Sequence, residues 1–156
     1  MTKQKISCPE FVKIFEKYDL IFLSETWTSK NSKINLNGYK LFHSYRKFQN
    51  KRAKRNSGGI LTYVKNSIIK GVKLIKNDVD CIQWFKLDAS YFNTSSDIYL
   101  FSTYIAPENS PIHNIYDFDI FTKTENDVRY FQDKGHVYGF GDLNSRIGNK
   151  KRLHRK

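Results

Sequence analysis

Apolar residues recur along this chain with two distinct periods. Phe11, Ile14, Phe15 and Tyr18 fall at i, i+3, i+4 and i+7, the spacing of one helical face. Just upstream, Ser7-Cys8-Pro9-Glu10 has the form of a capping box with an early proline: Ser7 would cap the first turn and Glu10 would reach back to it. The run at 20–24 (LIFLS) is short and continuously apolar, as in a strand covered on both faces. Residues 41–45 are a further strand candidate. Gly58-Gly59 opens the run ILTYVK, and 80–87 and 98–105 are two β-rich runs joined by the polar stretch 88–97, the arrangement of an antiparallel pair. Between 112 and 132, Ile115, Phe118, Phe121, Val128 and Phe131 recur near helical spacing; this predicts one long helix, with a possible break near Thr124 and Gly135 as its terminator. The last predicted strand, 136–140 (HVYGF), runs directly into Gly141-Asp142-Leu143-Asn144. Strands and helices alternate without a repeat or a linker, so the predicted class is α/β.

Composition narrows this picture. The chain has 156 residues, 39% hydrophobic and 15% aromatic, enough for one compact domain with a real core. Its net charge of +12 is concentrated in two runs. One contains Arg46, Lys47, Lys51, Arg52, Lys54 and Arg55; the other is the tail KKRLHRK. What remains is close to neutral. Concentrated basic runs suit a polyanion such as nucleic acid, although such runs are also common on ordinary solvated surfaces. Cys8 and Cys81 stand in unrelated contexts, which points to neither a zinc site nor a disulfide framework. The first nine residues lack an apolar core of the kind a secretory leader needs, and no stretch reaches the roughly 18 apolar residues of a membrane span. A soluble, reducing compartment and a monomer are the default expectations.

Three places put a polar group at the C-terminal end of a predicted strand, where open sheets form ligand crevices: Glu25, Tyr104, and the pair Asp142 and Asn144. Singly, each has an ordinary explanation. A glutamate after a strand is often the first exposed residue, a tyrosine in a strand is often core, and Gly-Asp-x-Asn is often a turn.

Taken together and in order, these positions resemble the endonuclease/exonuclease/phosphatase superfamily, specifically the apurinic-type endonuclease domains of LINE-like non-LTR retrotransposons. YDLIFLSETW, from Tyr18 to Trp27, resembles the strand leading to that family's metal-binding glutamate. SGGILTYVKNS, from Ser57 to Ser67, resembles its glycine-opened strand. IYLFSTYIAPENS, from Ile98 to Ser110, resembles the strand ending in the active-site tyrosine, and VYGFGDLNSRIG, from Val137 to Gly148, resembles the Gly-Asp-Phe-Asn-Ala-Arg-Ile-Gly motif. The fold this implies is a partial four-layer α/β sandwich of two mixed sheets flanked by helices. The implied reaction is Mg²⁺-dependent hydrolysis of a DNA phosphodiester, with Mn²⁺ as a possible substitute. By the same resemblance Glu25 coordinates the cation, Asp142 orients or deprotonates the attacking water, Asn144 positions the phosphate and that aspartate, and Tyr104 donates to the scissile phosphate. A product acting on chromosomal DNA would work in the nucleus.

The departures from the family are as informative. The family opens with a strand carrying an asparagine, in a string like Trp-Asn-Val-Asn-Gly-Leu, and closes on Ser-Asp-His. Neither string occurs in this sequence. The expectation is a single domain over 1–148, incomplete at both ends, a basic tail over 149–156, and little or no hydrolytic activity. His43, His113, His136 and His154 match no family motif. Two alternatives stay open: a non-catalytic remnant that binds nucleic acid through Arg46, Lys47, Lys51, Arg52, Lys54 and Arg55, and a phosphatase of the same superfamily acting on a phosphorylated small molecule.

Overall fold

The computed structural model describes residues 8–46, 57–107 and 110–144. Its first element, α1 (Pro9–Phe15), has Cys8 as N-cap with no side-chain cap; Ser7, the expected cap, lies outside the described residues. The Cys8 thiol donates to the Glu10 carboxylate at 2.7 Å. The helix ends at Phe15, which leaves Tyr18 beyond it, and both Ile14 and Tyr18 are exposed. The face that packs is Phe11, Val12 and Phe15.

Strands β1 (Leu20–Leu23), β2 (Tyr39–Ser44) and β3 (Ile60–Lys65) form a three-stranded sheet in the order β1-β3-β2, antiparallel throughout. The central strand β3 is buried from Ile60 to Val64, as befits a strand flanked on both edges and covered on both faces. In β1, Ile21 and Leu23 pack with α1, while Leu20 and Phe22 pack toward the second sheet. The expected coverage of both faces is therefore present.

The second sheet runs β4 (Val72–Val79), β5 (Ile82–Leu87), β6 (Asp97–Tyr104), β7 (Gly135–Asp142) in spatial order. Its first three strands are antiparallel and β7 lies parallel to β6. The second sheet is thus mixed, whereas the first, expected to be mixed as well, is not. Between β5 and β6 the chain makes one helical turn, α2 (Ala89–Phe92), capped by the Asp88 carboxylate, which accepts from the Ser90 and Tyr91 amides. Strand β4 was not among the expected elements. Two register shifts break its alternation, and its Lys76 crosses to donate to Asp127 at 2.5 Å.

Asp127 belongs to α3 (Ile120–Gln132). The single long helix expected over 112–132 is divided: Pro111–Ile115 forms a 3-10 turn, and α3 starts afresh at Asp119, whose carboxylate caps it by accepting from the Thr122 amide at 2.7 Å. Thr124, the expected break, sits buried inside α3 and donates to the Ile120 carbonyl at 2.8 Å. Ile120, Val128 and Phe131 pack on the sheet, while Phe118 and Phe121 stay exposed.

These parts stack in four layers. Phe15, Leu61 and Tyr63 form the core under α1, and Trp84, Tyr99 and Phe131 form the core under α3. Between the sheets lie Val64, Phe85 and Leu100 with Phe22 and Phe42 against them. Ring pairs cross that middle layer: Phe22 meets Phe85 at 6.1 Å and Phe140 at 5.0 Å, and Phe42 meets Phe85 at 5.2 Å. One polar link crosses it too. The Thr62 hydroxyl of β3 donates to the Gln83 side-chain oxygen of β5 at 2.7 Å, and both residues are fully buried.

That link yields a test. Thr62→Val leaves a buried amide acceptor unpaired and should lower unfolding stability by about 1–3 kcal/mol, whereas adding Gln83→Leu removes both partners and should recover most of the loss. Urea denaturation of the single and double variants measures it, with additive losses as the contrary result.

Candidate active site

The four candidate residues arrive from the ends of three strands and meet at one end of the sandwich. Glu25 lies two residues after β1, Tyr104 is the last residue of β6, Asp142 the last of β7, and Asn144 two residues further. Parallel pairing of β6 with β7 sets Tyr104 directly opposite Asp142. The chain then knits across: the Ile105 amide donates to the Asp142 carbonyl at 2.9 Å, and the Asn144 side-chain amide donates to the Ile105 carbonyl at 2.9 Å. The Asn144 backbone amide donates to the Asp142 carboxylate, also at 2.9 Å. Asn144 is left-handed at φ 44°, a conformation asparagine tolerates better than most residues.

Across the seam between the sheets, the Tyr104 hydroxyl donates to Glu25 Oε1 at 2.5 Å. Tyr104 is buried, while Glu25, Asp142 and Asn144 are exposed. Burial, then the hydrogen bond and charge of Glu25, push the Tyr104 hydroxyl up to about 12, with Arg46 acting in the opposite direction. Tyr104 therefore stays protonated at neutral pH and remains a hydrogen-bond donor. Its backbone is held from below, the Tyr104 amide and the Thr103 hydroxyl both donating to the Cys81 carbonyl at 3.0 Å. The Cys81 thiol is pushed up to about 12 by burial and the neighbouring Asp80, so it is a packing group there rather than a nucleophile.

Glu25 stands on a strained turn. Both Glu25 and Trp27 are left-handed, at φ 50° and 51°, each a conformation that costs roughly 1–3 kcal/mol and persists only where surroundings enforce it. Here they do. The Thr26 amide donates to the Gly59 carbonyl at 3.2 Å and the Trp27 amide to the Gly58 carbonyl at 2.8 Å. Buried Thr26 and Thr28 share a hydrogen bond at 3.0 Å, and Thr28 meets His43 Nε2 at 2.8 Å. Burial holds His43 below the usual histidine range. Gly59, at φ 88°, needs to be glycine because a Cβ there would come within 2.9 Å of the Thr26 hydroxyl.

Arg46, expected to bind nucleic acid as part of a basic run, is instead buried. It is 9% exposed, donates to the Ser57 hydroxyl at 3.0 Å, and its guanidinium lies where a Cβ on Gly58 would be, at 2.8 Å. Among the described residues its Nε has no partner. It is a buried cation beside Tyr104 and supports the turn that carries Glu25. Lys47, Lys51, Arg52, Lys54 and Arg55 lie outside the described residues. The structure thus brings together the candidates Glu25, Tyr104, Asp142 and Asn144, while sequence reasoning missed the frame of Thr26, Thr28 and His43 and the burial of Arg46. The double glycine was its one visible trace.

Among the described residues, no cluster of three or more His, Cys, Asp or Glu side chains could hold a metal ion. The arrangement is one exposed carboxylate, Glu25, facing a wall that ends in a second, Asp142. Hard oxygen donors in that number suit Mg²⁺, which is commonly held by one or two carboxylates together with waters and substrate phosphate; they do not suit a closed zinc site.

No protein-family model matches the sequence, and no curated protein matches it. Solved structures do match in fold. TDP2 from Caenorhabditis elegans superposes with a TM-score of 0.55 at 18% identity, over 92% of this chain and 43% of that one. A truncated form of the same nematode protein gives 0.55 at 16% identity over 92% and 56%. The human Nocturnin catalytic domain with bound sulfate anion gives 0.55 at 13% over 92% and 56%. This chain spans about half the length of the structures it matches. It shares with them an α/β sandwich fold of two sheets flanked by helices.

Proposed function

We propose that the site is built for metal-assisted hydrolysis of a phosphodiester, with DNA as the substrate. The observation that carries this reading is the meeting of Glu25, Tyr104, Asp142 and Asn144 at one seam, from four chain positions that span 120 residues of sequence. A source in a LINE-like retroelement follows from the four sequence motifs and is part of the same proposal. The sulfate in the Nocturnin structure supports it further, since sulfate has the shape and charge of a phosphate group.

The residues divide the work by charge. Glu25 would hold Mg²⁺, or Mn²⁺ in its place; the ion, when bound, offsets phosphate charge and stabilises the leaving oxygen. Tyr104, kept neutral, offers an O–H to a non-bridging phosphate oxygen without adding negative charge to the site. Without substrate that hydroxyl is spent on Glu25, so binding exchanges one acceptor for another. Asp142 is the acceptor for a water proton, and Asn144 fixes its carboxylate through the backbone amide. The attacking water would approach from the side of Asp142 and the leaving oxygen would depart toward Glu25.

A second reading keeps the fold and drops the chemistry: a nucleic-acid-binding protein that uses its +12 charge alone. Phosphate contacts of that kind weaken steeply with salt and need no metal.

Two results separate these readings. Purified protein should nick supercoiled plasmid slowly in Mg²⁺ and not in EDTA, and Glu25→Gln or Asp142→Asn should each cut the rate by about a hundredfold or more. Equal nicking in EDTA, or in either variant, contradicts the proposal; salt-sensitive binding without nicking favours the second reading. In addition, because Tyr104 loses its proton only near 12, the nicking rate should show no alkaline fall from that group between roughly pH 7 and 10, and Tyr104→Phe should be slower by a nearly constant factor over that range. A variant that differs from the parent only above pH 8 or so would instead mean that Tyr104 ionises during turnover.

A further inference from the structure

The two outer edges of the second sheet are unlike. Strand β4 carries Lys73 and Lys76 and is broken by two register shifts against β5, devices that keep an edge strand from pairing with another chain. Strand β7 has neither. It follows β6 in unbroken register from Gly135 to Asp142 and contains no lysine or arginine. Among the described residues no strand pairs with its outer edge. Tyr138 and Phe140 stand there 52% and 44% exposed. The neighbouring edge of the first sheet, β1, is uncharged and open in the same sense, and its Phe22 stacks on Phe140 at 5.0 Å. A long, flat, partly apolar edge of this kind is a template for a further strand.

The sequence of β7 itself says which strand fits. The Asp142 carbonyl accepts from the Ile105 amide, so the even-numbered residues turn their backbone groups toward β6, and Val137, Gly139 and Gly141 turn theirs outward. Side chains alternate as well: Phe140 faces the first sheet, with Tyr138 and His136 on the same side, while Val137 packs under α3. A second β7, laid antiparallel about a two-fold axis through Gly139, matches this pattern. Gly139 exchanges hydrogen bonds with its own copy, and Val137 does so with Gly141. In the close positions between them Tyr138 lies opposite Phe140 and His136 opposite Asp142, each pair occurring twice by symmetry. The aromatic pair covers the exposed apolar surface, and the imidazole offers an N–H to the carboxylate; cross-strand pairs of both kinds are favourable. Moving the axis to Val137 or to Gly141 loses both.

We propose that β7 pairs with β7 of a second copy of this chain, joining the two four-stranded sheets into one across a two-fold dimer. His136 of each copy then stands beside Asp142 of the other, so the partner contributes a side chain to the candidate site. The default expectation of a monomer is replaced by this assembly.

Sedimentation equilibrium of the full chain, loaded from about 1 to 100 μM, should show a mass rising from 18.4 kDa toward its double. Tyr138→Lys places a charge at an exposed position opposite Phe140 and should hold the mass at that of one chain, with the thermal midpoint little changed. His136→Asp sets two carboxylates against each other at both ends of the pairing and should weaken association about tenfold or more. The outward amides of Val137, Gly139 and Gly141 should exchange hydrogen more slowly in the parent than in Tyr138→Lys. Cysteines read the register: on a Cys8→Ser background, Tyr138→Cys mixed with Phe140→Cys should oxidise to a cross-linked dimer, and either variant alone much less. A single-chain mass throughout, a dimer that survives Tyr138→Lys, or cross-linking as fast in one variant alone as in the mixture would each overturn the proposal. A single-chain mass with those three amides already protected would overturn it in favour of a segment of the chain's own as the occupant. These measurements involve neither metal nor turnover, so their failure and the failure of the phosphodiester reading are separate results.

Discussion

Everything in this fold depends on two sheets that share no strand lying face to face. The middle layer that joins them is aromatic, with Phe22 and Phe42 from the first sheet and Phe85 and Phe140 from the second. Such pairs contribute about 0.5–1.5 kcal/mol each beyond the area they bury, and they do not specify how far one sheet may slide along the other. The Thr62–Gln83 hydrogen bond does, because a slide would strand a buried acceptor. Among the described residues it leaves the Gln83 amide nitrogen without a partner, so the link has a cost as well as a direction. Fixing the slide fixes the seam, and the seam is where Glu25 of one sheet meets Tyr104 of the other.

The seam works by opposing two kinds of constraint. On the second sheet, Tyr104, Asp142 and Asn144 are positioned by regular pairing of β6 with β7 and by the short bonds that continue it. On the first sheet, Glu25 is positioned by strain: left-handed residues enforced by Gly58, Gly59, a buried arginine and a threonine pair backed by His43. A group held by strain sits in place before any ligand arrives, which is what preorganised charge stabilisation needs. The buried guanidinium of Arg46 acts on Tyr104 in the direction opposite to Glu25 and Asp142.

How much of this could be read from the sequence depended on whether the signal was local. Strand β3 was legible to the residue because it is rich in β-branched and aromatic residues and opened by glycines. The four candidate residues were legible because each lies at, or two residues beyond, the end of a strand. Strand β4 was not, since Lys73, Lys76 and Asn77 hide its alternation and its bulges shift the phase. The division of the region 112–132 was missed for a related reason: Phe118 and Phe121 imitate a buried face, while the true start at Asp119 is a capping event that periodicity does not register. The threonines and histidine behind Glu25 left no pattern at all, because their partnership spans the 15 residues from Thr28 to His43 and exists only once β2 and the turn after β1 are side by side. Arg46 was read by its charge, and charge says nothing of burial.

The central claim is that Glu25 and its neighbours form one preorganised site for a divalent ion. The most direct test is a Mn²⁺ titration of the folded protein, with the free ion counted by electron paramagnetic resonance, in the parent and in Glu25→Gln. The account predicts about one ion bound per chain in the parent, as expected for a site built on one carboxylate and its neighbours, and its loss in the variant with the fold unchanged. Equal binding by both proteins would place the ion elsewhere and contradict the account.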